Sequence, residues 1–174
     1  MTRSRTAIFL AMGPSLHDLE NKIESFRDLF AFWVSIKIHS NFLKVNILDK
    51  IDEDFAILHG SQCNILDVGT SANILISLLK IGFDKIFVFG LDGGPVGSSL
   101  YYKDHNLGGS TEDMLLADVN KTNNHFMEWA KGLNAKEKIF NCSPESLITC
   151  FNKISVDEAI IRLQKLGYED LRGR

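Results

Sequence analysis

The stretch Gly90-Leu91-Asp92-Gly93-Gly94-Pro95 sets one carboxylate among residues that turn the chain sharply. An aspartate so placed can accept hydrogen bonds from a ribose or a base or hold a divalent cation. It can also simply fold onto its own backbone as an Asx-turn. Two other stretches place small residues ahead of a helix-like pattern, Gly13-Pro14-Ser15 and Gly69-Thr70-Ser71. A glycine lets backbone approach a ligand, and hydroxyls beside the free N–H groups of a helix start suit a phosphate. Each also reads as an ordinary helix start, with Pro14 near the first helical position and Ser or Thr as a cap. Neither is a Walker A sequence or GxGxxG. Further on, Tyr101-Tyr102-Lys103-Asp104-His105 puts a histidine next to an acid in a polar stretch. Histidine is the side chain whose proton moves near neutrality. Asn141-Cys142-Ser143-Pro144 adds an amide and a hydroxyl. Capping alone accounts for Ser143, and a nucleophilic Cys142 would need a histidine partner that the sequence does not place. His17, His39, His59 and His125 fit helix or strand-end positions, and no pair has metal-site spacing.

The elements around these residues decide whether they can meet. Residues 6–12 are a short, almost wholly apolar run, as are 86–89, and such runs suit buried strands of a parallel sheet. Residues 32–38 are aromatic and β-branched and read as a strand, with 55–58 a shorter one and 138–141 another. Leu16, Leu19, Ile23, Phe26 and Phe30 recur at helical spacing, which predicts a helix over 16–30 begun by Ser15. Ile74, Leu75, Leu78 and Leu79 predict one over 70–81 that stops at Gly82. Helices are also expected over 111–133, 144–151 and 156–166, the last with Ser155 and Glu158 as a capping box. Residues 41–50 fit either period. The alternation of strands and helices predicts an α/β fold: a single Rossmann-like, three-layer domain over residues 1–174 with a mostly parallel sheet. Ligands of such sheets lie beyond the carboxyl ends of the strands. The chemically capable stretches around 13–15, 70–71, 90–92 and 141–143 all fall there, so they are expected to converge. As a loop carboxylate, Asp92 is expected to serve binding and to contribute little to stability.

Composition narrows the partners. The chain has 174 residues, 45% of them hydrophobic, enough for a core without disulfides. A net charge of −3 carries no basic excess of the kind that accompanies nucleic-acid binding. Three cysteines, Cys63, Cys142 and Cys150, are odd in number and lack CxxC pairing, which reads as reduced thiols in a cytoplasmic protein. The apolar run after the basic N-terminus ends at Gly13-Pro14, too short for a signal sequence or a membrane span. Nothing in the pattern decides between a monomer and a homo-oligomer.

The segment AMGPSL resembles the GxGPSL strand-turn-helix of three related groups. They are the bacterial Cst-type sialyltransferases, the motility accessory factor (Maf) glycosyltransferases and the MptE-like 6-hydroxymethylpterin diphosphokinases. GTSANILISLLKIGFDKIFVFGLDGG resembles their central unit, a helix, a Gly-aromatic turn, a strand and then Gly-x-Asp. IFNCSPESLI resembles their late strand and helix start. The order along the chain agrees, and the matching segments cover about a third of it.

The resemblance implies a Rossmann-like domain that binds a nucleotide or nucleotide-sugar and transfers a group from it. Carried over, Gly13, Pro14 and Ser15 would face the nucleotide phosphate, Thr70 and Ser71 would contact phosphate or sugar, and Gly90, Leu91 and Asp92 would line the nucleoside pocket. His105 would be the general base, with Tyr101, Tyr102, Asn141 and Ser143 around the pocket. The chain departs from the pattern at Ala11, where the first glycine would stand, and at Ala72. It also lacks the asparagine after the second strand, and the stretch between Leu16 and Thr70 is much shorter than in the sialyltransferases. Three functions follow as expectations. The first is a glycosyltransferase of surface-glycan synthesis using a nucleotide-activated donor. The second is a pterin-type diphosphokinase in which Asp92 would help hold Mg²⁺ against ATP. The third is a shortened nucleotide-binding module without turnover.

Overall fold

The computed structural model describes residues 5–29, 31–51, 56–58, 69–105 and 111–172. Six strands form one sheet in which every pairing is parallel: β1 (Thr6–Leu10), β2 (Phe32–Ile36), β3 (Ala56–Leu58), β4 (Lys85–Phe89), β5 (Ile139–Asn141) and the two-residue edge strand β6 (Asn152–Lys153). Their order across the sheet is β3-β2-β1-β4-β5-β6, the order of the doubly wound Rossmann fold. β1 lies at the centre, with Ala7 opposite Phe32 on one side and Ile86 on the other. All five of its residues are buried, which is why its sequence shows no polar alternation.

Side-chain alternation along the strands divides the core into two layers. Ala7, Phe9, Val34, Ile86 and Val88 face α3 (Thr70–Ile81) and α4 (Glu112–Trp129). Ile8, Leu10, Trp33, Phe87 and Phe89 face α1 (Leu16–Glu20), α2 (Lys37–Asn46) and α6 (Val156–Arg172). The short helix α5 (Ala135–Lys138) leads into β5. The expected α/β class and parallel sheet are therefore present, and α3 has the predicted bounds. It ends where Gly82 turns left-handed, at φ 95°. Thr111 caps α4 by accepting from Met114 N–H, and Ser155 accepts from Glu158 N–H at the start of α6.

Several elements differ from expectation. The helix predicted over 16–30 stops at Glu20 and resumes only as a 3₁₀ turn, Ile23–Phe26. The ambiguous 41–50 segment is divided between α2, which begins at Lys37, shortens β2 and ends at Asn46, and a 3₁₀ turn, Leu48–Lys50. Residues 144–151 form turns and not a helix. Their capping groups are spent elsewhere: Ser146 Oγ donates to the Leu91 carbonyl (2.5 Å), and Leu147 N–H donates to that of Asp92 (2.8 Å). Cys142 and Cys150 are free thiols, and Cys63 lies outside the described residues. Among the described residues no helix is long and apolar enough to cross a membrane.

Candidate functional site

β1 and β4 lie side by side, but the helices that follow them leave to opposite faces, α1 to one and α4 to the other. Where crossovers diverge in this way a crevice opens at the carboxyl ends of the strands. A cavity of about 350 Å³ occupies that place, a volume suited to a small ligand. Gly13, Thr70, Ser71, Gly90, Leu91, Asp92 and Tyr101 line it, so the loops after β1 and β4 and the start of α3 do converge. Its apolar wall includes Ile36, Leu75, Val119, Ile148 and Phe151. Pro14, Ser15, Tyr102, His105, Asn141 and Ser143 are not among its lining residues.

The Gly13-Pro14-Ser15 turn is held by contacts within the chain. Ala11 N–H donates to the Phe89 carbonyl (2.9 Å), Gly13 N–H to that of Gly90 (2.7 Å) and Ser15 N–H to Asp92 Oδ2 (2.9 Å). The Ser15 and Ser143 hydroxyls are hydrogen-bonded at 2.7 Å. A Cβ on Gly13 would lie 2.2 Å from Asp92 Oδ2 and 2.4 Å from the Gly90 carbonyl. The glycine thus lets the chain approach itself, and the Asp92 carboxylate takes the N–H that a phosphate would have used. Asp92 is only 4% exposed. Burial raises its pKa above the usual carboxylate value, against the lowering effect of its bonds from Ser15 and Ser143. The expectation that Asp92 matters little to stability is corrected by this geometry, because a buried, multiply bonded carboxylate is costly to remove.

Asn141 and Ser143 stand behind this latch. Asn141 Nδ2 donates to the Leu91 carbonyl (3.2 Å), and its Oδ1 accepts from Ser143 N–H (3.2 Å). They brace the loop that presents Leu91 and Asp92.

A second glycine–carboxylate contact lies across the cavity. Gly69 precedes α3, and a Cβ there would lie 2.6 Å from Asp118 Oδ2. Asp118 lines the cavity from α4 together with Leu115, Val119 and Thr122, residues spaced along one helix face. An acid on an otherwise inward face was the sequence signal for this residue.

His105 lies away from the cavity in a different setting. Its ring stacks on Phe42 at 3.7 Å, nearly parallel, and is 6.1 Å from the ring of His39. Among the described residues His39 Nδ1 and His105 Nε2 are buried without a hydrogen-bond partner. His39, three residues past β2, is the histidine that lines the cavity among the described residues. Burial, and then the neighbouring His105, lower its pKa to about 4, so it is neutral at pH 7. Its position just beyond a strand's carboxyl end was legible; its inward direction was not.

The 101–105 segment is anchored to the rest of the fold. Tyr102 is fully buried, its N–H donates to the Met12 carbonyl (2.8 Å) and its hydroxyl donates to Glu20 (2.7 Å). Lys103 reaches Glu20 (2.9 Å) and Asn46 (3.0 Å), and Lys50 also donates to Glu20 (2.6 Å). Burial works against the Glu20 charge, but the bonds from Lys50, Tyr102 and Lys103 prevail and hold its pKa at about 2. Gly108 and Gly109, and the His59-Gly60-Ser61 end of the third strand, lie outside the described residues.

No family model, curated protein or solved structure matches this chain.

Proposed function

We propose that the chain is a transferase acting on a nucleotide-activated donor, of the glycosyltransferase kind and linked to surface-glycan synthesis. The observation that carries the reading is the cavity at the β1–β4 switch point, walled by the loops of Gly13 and Asp92 and by the start of α3. In a doubly wound sheet that is where nucleotides bind. The apolar wall around Ile36, Leu75 and Leu91 suits a base, and the Thr70 and Ser71 hydroxyls suit a sugar. Such a transfer asks the protein to orient donor and acceptor and to take one acceptor proton. His39, on the cavity wall, is the side chain that takes this proton in the proposal.

The second reading, a Mg²⁺-dependent pterin-type diphosphokinase, is favoured by one further fact. Asp118 adds a second carboxylate to the cavity wall that Asp92 also lines, and oxygen ligands suit Mg²⁺.

Thermal shift with CMP, UDP, GDP, ATP with Mg²⁺, and pterins separates the readings, because a ligand at a hundred times its Kd stabilises by about 2.7 kcal/mol. Stabilisation by a pyrimidine or guanine nucleotide supports glycosyl transfer. A shift confined to Mg²⁺·ATP and pterins supports diphosphate transfer. A nucleotide-bound protein without turnover identifies a binding module. No shift with any of these at millimolar concentration rejects the nucleotide reading.

A further inference from the structure

We infer that the cavity selects an uncharged heterocycle or nucleoside and admits its phosphates only when a divalent cation accompanies them, with Asp118 as the residue that sets this preference. The inference rests on the nucleotide reading above and adds which part of the ligand the protein itself holds.

Three observations carry it. First, both helix starts at the cavity already face a carboxylate of this chain. Ser15 N–H donates to Asp92, and Asp118 lies against Gly69 at the start of the twelve-residue α3. The partial positive charge of α3 would otherwise attract an anion. Second, no lysine or arginine is among the described lining residues, whereas two aspartates are. Lys103, two residues past Tyr101 of the cavity wall, is committed to Glu20 and Asn46. Third, residues 52–55, 59–68 and 106–110, which adjoin the wall segments in the chain, contain neither lysine nor arginine, and Lys121, beside the lining Thr122, is exposed on α4. His39 adds no charge either, since burial keeps it neutral at pH 7. A phosphate entering alone would meet like charge, with no lysine or arginine among the described wall residues to offset it, in a place where protein walls weaken solvent screening. The neutral part of the ligand meets no such penalty, and Leu75, Leu91 and Phe151 give it apolar surface.

Isothermal titration of the full chain tests this with each nucleoside and its 5′-mono- and diphosphate, first in EDTA and then in Mg²⁺. In EDTA the nucleoside should bind at least about fivefold more tightly than its diphosphate, and Mg²⁺ should remove or reverse that order. Asp118→Asn should improve diphosphate binding in EDTA by about 5- to 10-fold and leave the nucleoside within about twofold, the scale of one partly screened charge. Asp113→Asn removes the same charge from the exposed first turn of α4 and should change neither. A diphosphate that binds in EDTA more tightly than its nucleoside overturns the inference while leaving the nucleotide pocket standing. Equal effects of Asp118→Asn and Asp113→Asn overturn the role of Asp118. Binding of neither nucleoside nor nucleotide, with or without Mg²⁺, overturns the nucleotide reading and this inference with it.

Discussion

Asp92 and Asp118 stand in the same relation to the fold: each carboxylate fills the space left by a glycine that precedes a helix. Their surroundings separate them. Asp92 is almost fully buried, receives Ser15 N–H and lies in a loop held by Asn141 and Ser146. Asp118 is partly exposed, on a helix face turned to the cavity. One joins two strand ends; the other meets whatever enters. A carboxylate at a cavity is therefore not enough to assign a role, and what else holds it decides whether its loss costs stability or recognition.

The comparison is broken most forcefully at the glycines. In Gly13→Ala the new methyl would collide with backbone at Gly90 as well as with Asp92, and a loss on the order of 2–4 kcal/mol is expected in urea unfolding. Gly69→Ala meets mainly the end of one acidic side chain, and the backbone there has an ordinary φ of −53°. Its cost should stay below about 1 kcal/mol. Equal costs at the two positions would erase the distinction. The carboxylates themselves give the next effect. Asp92→Ala leaves the part-buried Ser15 N–H without its acceptor and should cost about 1–3 kcal/mol, whereas Asp118→Ala should stay within about 0.5 kcal/mol. A thermally unaffected Asp92→Ala protein would make Asp92 a ligand contact after all.

The smallest effect is in pH. His39 has its pKa lowered from 6.5 to about 4 in the folded state. The unfolded chain therefore binds the proton first, so the stability His39 contributes is complete above pH 6.5 and is lost as pH falls toward 4. Glu20, lowered from 4.5 to about 2, extends the loss through the range below 4.5. Asp92 has the opposite sign: its raised pKa favours the folded state below 3.8 and that benefit fades as pH rises. Stability should fall from pH 7 to pH 5, and His39→Gln should remove on the order of 1–2 kcal/mol of that fall. An unchanged slope in the variant would show that His39 titrates normally and lies open to water.

Much of this architecture was legible because burial wrote it into short patterns. β1 and β4 are unbroken apolar runs since both faces of the sheet are covered, and α3 carries its whole signature from Thr70 to Gly82. That Gly13, Thr70 and Asp92 would meet followed from their places after parallel strands. The turns at 144–151 were missed because Ser143 and Ser146 have the right spacing for a cap, and only the tertiary fold shows their hydroxyls turned to Ser15 and to the Leu91 carbonyl. His105 was favoured over His39 because a polar neighbourhood suggests a free side chain. Its ring instead stacks on Phe42, a partner 63 positions away.

The position of β1 at the middle of the sheet bears on how the chain is made. One edge of β1 is completed early, when Phe32–Ile36 arrives, but the other waits for Lys85–Phe89. Until then a fully apolar strand has one row of open backbone groups, a template for pairing with any other extended chain. The contact that ends this state spans most of the molecule synthesised so far, and closing so large a loop is slow compared with forming a helix. Nascent or truncated chains that stop before β4 should therefore depend on chaperones and aggregate, whereas those that include Phe89 can seal their centre.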